Sequence, residues 1–168
     1  MRVRTIRNPQ QRRRSHRMHK QTFLLLIAVF LLVGCDKNTL MHSYQPLKDN
    51  SWDRADTIRF TLPALTQDDN CSMLVGLRLN SNYPYEQLVL QVEQDFQHPT
   101  THRIDTVYYQ LTDERGNFTE EGVNYFQFES EGLPLDLKKG QTGEIKIRHL
   151  MHREVLPGIT DVGIHIIR

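Results

Sequence analysis

From Asp56 onward, apolar residues recur at every second position, the pattern of strands with one buried face. Ile58, Phe60 and Leu62 alternate with Thr57, Arg59 and Thr61, and Pro63 ends the run. Met73, Val75, Leu77 and Leu79 make the next apolar face, with Arg78 turned away. Leu88, Leu90 and Val92 alternate with Val89, Gln91 and Glu93. Arg103 to Leu111 is dense in β-formers, and Tyr125, Phe126 and Phe128 suggest a further strand. Ile145 and Ile147 point inward while Glu144, Lys146 and Arg148 point out, and Val162, Ile164 and Ile166 close the series. Turn residues separate these runs at Asn80–Pro84, Gln97–Pro99, Asp113–Asn117, Lys138–Gly143 and Pro157-Gly158, and Gly116 is expected at positive φ. No long amphipathic helix is present; Leu150 to Leu156 has room for one turn. About seven strands predict an all-β fold: a single antiparallel β-sandwich over residues 54–168, immunoglobulin-like in size. Trp52, just before the first strand, is expected to cover one end of the core.

The pattern differs before that point. Residues 36–53 are polar, broken by Gln45-Pro46 and Asp49-Asn50-Ser51, and read as a tether. Ahead of them runs an apolar stretch from Phe23 to Val33, eleven residues long. That is too short for a hydrocarbon core, which needs about 20 residues, and suits a signal-peptide core. Leu32-Val33-Gly34-Cys35 then resembles the bacterial lipoprotein signal, which implies a lipid thioether on Cys35 and removal of residues 1–34. The competing reading, an uncleaved anchor with a chance cysteine, does not account for the basic segment, the short apolar core and the small residue before the cut occurring together. Met18-His19-Lys20 followed by the apolar run is a complete signal by itself, so Met18 is a candidate true start. Residues 35–53 are then the lipidated cysteine and tether.

Removing residues 1–34 changes the charge. The whole chain has 21 basic and 20 acidic residues, but eight of the basic ones precede Cys35. Thirteen basic residues remain against twenty acidic, a net charge of about −7. Nucleic-acid binding needs a basic face and is disfavoured. One cysteine, Cys71, remains beside Cys35, so no disulfide within the domain is expected and Cys71 reads as a small core residue.

Candidate chemistry is sparse. His149 and His152 sit three apart, with His165, His98 and His102 elsewhere. Residues i and i+3 of a strand face opposite ways, so no metal site is expected from this pattern. Asp68-Asp69 and Glu120-Glu121 read as solvated charges. No nucleophile elbow, phosphate loop or zinc-protease motif is present, and no catalytic residue or cofactor is expected. Of the adjacent pair Tyr108-Tyr109, one ring must point outward. Asp56-Thr57-Ile58 and Asp105-Thr106-Val107 resemble the O-glycosylation sequon of Bacteroidetes periplasmic proteins, making Thr57 and Thr106 candidate acceptors.

Four stretches carry a wider resemblance: Asn50-Ser51-Trp52-Asp53, Asn82-Tyr83-Pro84-Tyr85, the Leu111–Gly116 turn, and above all Leu156-Pro157-Gly158-Ile159-Thr160-Asp161-Val162-Gly163. In this order, behind a lipoprotein signal, they are similar to the gliding motility lipoprotein GldH family of the Bacteroidetes. The Arg-rich segment before Met18 departs from that family. The resemblance implies a non-enzymatic structural or assembly lipoprotein of the gliding machinery, linked with type IX secretion. It implies partners among envelope and gliding-machinery proteins, membrane lipid through Cys35, and no nucleic acid or small-molecule substrate. The expected location is the outer membrane, facing the periplasm. The alternative is a glycan-binding outer-membrane lipoprotein of a nutrient-uptake system, which would need exposed aromatic rings lining a groove. The Pro157–Asp161 loop is expected to be a tight turn that starts the last strand, with a fold-fixing or partner-facing element as the alternative.

Overall fold

A computed structural model describes residues 38–122 and 125–168. The expected signal segment and Cys35 lie outside the described residues. Eleven strands follow one another: β1 (Thr39–Pro46), β2 (Ser51–Asp53), β3 (Ile58–Leu62), β4 (Asp69–Leu79), β5 (Gln87–Gln97), β6 (Thr101–Gln110), β7 (Phe126–Glu129), β8 (Leu133–Leu137), β9 (Thr142–His149), β10 (Val155–Pro157) and β11 (Ile159–Ile167). The one helical segment among the described residues is a single 3-10 turn, Lys48–Asn50.

The architecture follows from nested antiparallel pairs. β5 pairs β6 across the His98–Thr100 turn. Outside that hairpin, β4 pairs with β7 and β8, β3 with β9, and β1 with β11. The chain is one long hairpin folded over on itself, closed by the lateral pairs β4·β11 and β5·β9. Two sheets result, β1-β11-β4-β7 with β8 also on β4, and β3-β9-β5-β6. This is jelly-roll order. The β-sandwich predicted from alternation is therefore present, whereas its strand order is not that of an immunoglobulin domain, because order is set by pairings distant in sequence. β2 and β10 pair as a separate two-stranded ribbon.

Inward-facing residues of both sheets make one core. Met73, Val75, Leu77 and Leu79 of β4 meet Leu88, Leu90 and Val92 of β5, all fully buried. Each such side chain contributes about 1.5–3 kcal/mol of transfer free energy. Between the layers, the buried Tyr109 hydroxyl of β6 donates to the Val75 carbonyl of β4 at 2.8 Å.

Three expectations are corrected. The tether expected over 35–53 is folded from Asn38 on, so the domain begins there and not at residue 54. β1 escaped notice because it is an edge strand with half-buried residues on both faces, which leaves no period of two. The described residues form eleven strands rather than about seven. β8 does alternate, with Leu133, Leu135 and Leu137 inward, but Pro134 disguised it; proline is admitted here because β8 lies at the sheet edge. Leu150–Leu156 forms no helical turn and leads into β10.

Candidate functional site

Three of the four stretches that carry the family resemblance meet in one corner, around the buried Gly158. Its N–H donates to the Asn50 carbonyl at 2.8 Å, and its own carbonyl accepts the Asn80 N–H at 2.8 Å. Its φ is +83°, and a Cβ there would lie 2.2 Å from the Tyr83 nitrogen and 2.7 Å from the Asn82 carbonyl carbon. Only glycine fits. Trp52 in β2 pairs with Leu156 in β10, and both are fully buried. The Trp52 indole N–H donates to the Asp56 carbonyl at 3.2 Å. Tyr83 donates its hydroxyl to the Gln87 carbonyl at 2.8 Å, and burial pushes its pKa well above the ordinary phenol value. Thr160 donates to the Arg78 carbonyl at 3.1 Å while its carbonyl accepts the Leu47 N–H. These polar groups are bonded to the main chain, and Gly158 alone separates β10 from β11, so the stretch is the tight turn that starts the last strand. Trp52 is a fully buried member of the core.

The fourth stretch is a separate turn. The Asp113 carboxylate accepts the Asn117 and Arg115 N–H groups, each at 2.9 Å, and Gly116 takes φ +81°. Those bonds, the Asn117 backbone N–H foremost, hold the Asp113 carboxyl below the usual range.

The outer face of β3-β9-β5-β6 carries a shallow hollow lined by Thr57, Arg59, Gln91, Glu93, Lys146 and Arg148. Lys146 bridges Glu93 at 3.1 Å and Asp95 at 2.9 Å, and Arg59 pairs Glu144 at 3.2 Å. The Lys146 hydrogen bond lowers the Asp95 pKa, and its carboxylate partners raise that of Lys146. Thr57 is half-buried in the hollow. Thr106 is exposed on β6 in register with Gln91. On the same edge strand Tyr108 is 75% exposed and Ile104 53%, while Tyr109 is buried, which is the split that alternation required.

The histidines disperse. His149 is fully buried, its ring edge-to-face with that of Trp52 at 5.5 Å between centroids. Burial lowers its pKa. His98, His102 and His152 are exposed. His165 instead meets His42, its register partner on β1, with ring centroids 4.4 Å apart. His42 lay in the supposed tether, and no local signal in the sequence links two residues 123 positions apart. Cys71 is buried with a raised pKa, chiefly from burial, which suits a core thiol rather than a nucleophile. Of the paired acids, Asp68 accepts the Lys139 N–H at 2.8 Å and Asp69 binds Arg168, whereas Glu120 and Glu121 are exposed.

Sequence comparison now bears on this fold. The GldH lipoprotein family model matches residues 39–166, from β1 to β11 and through the Gly158 corner. The chain belongs to the GldH lipoprotein family. The gliding motility lipoprotein GldH of Flavobacterium johnsoniae is 29% identical over 154 residues, covering 88% of this chain and 96% of the relative. A gliding motility lipoprotein GldH homolog of Christiangramia forsetii is 25% identical, covering 86% and 93% respectively. Among solved structures, a CocE/NonD family hydrolase from Staphylococcus aureus aligns with 77% of this chain and 33% of its own at 10% identity. Its TM-score of 0.38 carries no argument about activity.

Proposed function

We propose that this chain is a non-enzymatic lipoprotein of the cell envelope that serves the gliding machinery as a structural or assembly component. The observation that carries this reading is the family match, which spans the folded domain from its first strand to its last. Cys35 bears the lipid, residues 1–34 are removed, and the domain sits at the outer membrane facing the periplasm. Anchoring by several acyl chains, at about 0.8 kcal/mol per buried methylene, is in effect permanent. Partners are envelope proteins of the gliding and secretion apparatus. The edge strand β6 supports a partner surface there, with Tyr108 and Ile104 displayed to solvent. The walls of the polar hollow carry no aromatic ring, which lends nothing to the glycan-binding alternative.

Crosslinking in cells followed by pull-down of the tagged lipoprotein tests the reading. Gliding or secretion components should be recovered, fewer of them with Tyr108→Arg, while recovery of glycan-uptake proteins alone would overturn it. Cys35→Ala should release the domain from the membrane fraction. Thr57 and Thr106 are the proposed O-glycan acceptors, and both lie on the outward face of the same sheet. The intact mass of the purified lipoprotein should exceed polypeptide plus lipid by sugar increments, and a bare mass removes the proposal.

A further inference from the structure

On the outer face of the other sheet, three potential ligands converge from strands distant in sequence. His42 on β1 and His165 on β11 are register partners with stacked rings. Glu129 on β7 places a carboxylate oxygen 3.8 Å from His165 Nδ1. One ligand atom from each residue lies within 4.8 Å of the other two. A tetrahedral zinc site with bonds of about 2.0–2.1 Å sets its ligand atoms roughly 3.3 Å apart. The Glu129–His165 separation is near that value already. His42 is exposed and can rotate its ring to close the remainder.

Two further features fit a metal. His165 presents Nδ1 toward Glu129, while its Nε2 lies 3.5 Å from the Thr39 hydroxyl. A histidine ligating through one nitrogen typically hands the other N–H to an outer partner, which fixes its ring. Tyr44, on the same face as His42, lies flat across Gly163 and Gly76, the residues in register with Glu129. Its hydroxyl is buried without a partner among the described residues. A water completing the metal's coordination shell would offer that hydroxyl one.

We propose that His42, His165 and Glu129 form a binding site for a divalent transition-metal ion, Zn2+ foremost, that staples the edge strand β1 to the sheet. Two imidazoles and a single carboxylate suit Zn2+, Ni2+ or Cu2+, whereas Mg2+ and Ca2+ want a shell of oxygens. The staple holds β1, the first strand among the described residues. A pull arriving through a lipid anchor loads the β1–β11 ladder first, and the metal adds a cross-strand link there. That consequence rests on the anchoring reading, but binding itself does not.

The test uses the tag-free lipoprotein in detergent, stripped of metal by dialysis against a chelator and titrated with ZnCl2. One equivalent should bind with a Kd below about 10 μM. Zinc at a hundredfold excess over Kd should raise Tm by roughly 5–10 °C. His42→Gln and Glu129→Gln should each weaken binding at least about tenfold, with apo melting temperatures near wild type. His102→Gln and His152→Gln should leave binding unchanged. Calcium and magnesium should give no shift. Absence of zinc binding below about 100 μM, or binding of wild-type affinity in His42→Gln, overturns the site. Because His42 is exposed, its variant keeps the test decisive even if His165→Gln fails to fold.

Discussion

Gly158 and Gly116 share a left-handed backbone, at φ +83° and +81°, yet a methyl group would meet different surroundings at each. At Gly116 nothing lies within 4 Å of the added carbon, so Gly116→Ala should cost only the strain of positive φ, about 1 kcal/mol. At Gly158 the same carbon would strike the Asn82–Tyr83 backbone, and Gly158→Ala should cost about 3 kcal/mol or more. Denaturant unfolding of the two variants checks the difference. His149 makes a second residue-scale prediction. Its folded pKa lies below the ordinary value near 6.5, because burial penalises the charged ring. The unfolded chain therefore takes up the proton first as pH falls. The stability tied to a neutral His149 is complete above about pH 6.5 and is lost below it. The unfolding midpoint should drop between pH 7.5 and 5.5 in the wild type and drop less in His149→Phe.

At the scale of elements, the edge strands are where sequence and structure part. β1 has no clean alternation, yet Leu40 and Met41 pack against the core and Tyr44 covers two glycines of the sheet below it. Removing residues 39–46 should therefore lower Tm sharply and open β11 to protease, whereas removing a true tether would leave both unchanged. On the opposite edge, Tyr108 is largely solvated. Tyr108→Arg should change stability by less than about 0.5 kcal/mol, so any loss of partner capture would report the surface and not the fold.

As a whole, the domain from Asn38 to Arg168 is a nested hairpin whose outermost pair, β1 with β11, joins its first and last strands. Its contacts are mostly long-range, which predicts folding on the scale of milliseconds to seconds rather than microseconds. One core shared by both sheets predicts one cooperative transition. Trp52 is the single tryptophan and sits in the Gly158 corner, so its fluorescence reports that corner alone. Fluorescence and far-UV circular dichroism should give coincident unfolding curves. An earlier fluorescence transition would show that the corner opens independently of the sandwich.

What is local was legible in the amino acids. Alternation of period two marked about seven strands and required that Tyr108 and Tyr109 face opposite ways, while the structure decided that Tyr109 is the one that goes inward. Turn chemistry placed Gly116 at positive φ, and the closing Leu156–Gly163 stretch pointed to the family. What depends on partners was decided only by the tertiary structure. Sheet order, the folding of β1, the crowding that requires glycine at 158, and the meeting of His42, Glu129 and His165 all arise from pairings between segments far apart in sequence. A hydrogen-bond ladder is indifferent to which strand it recruits, and only packing of the whole core selects the register that brings these residues together.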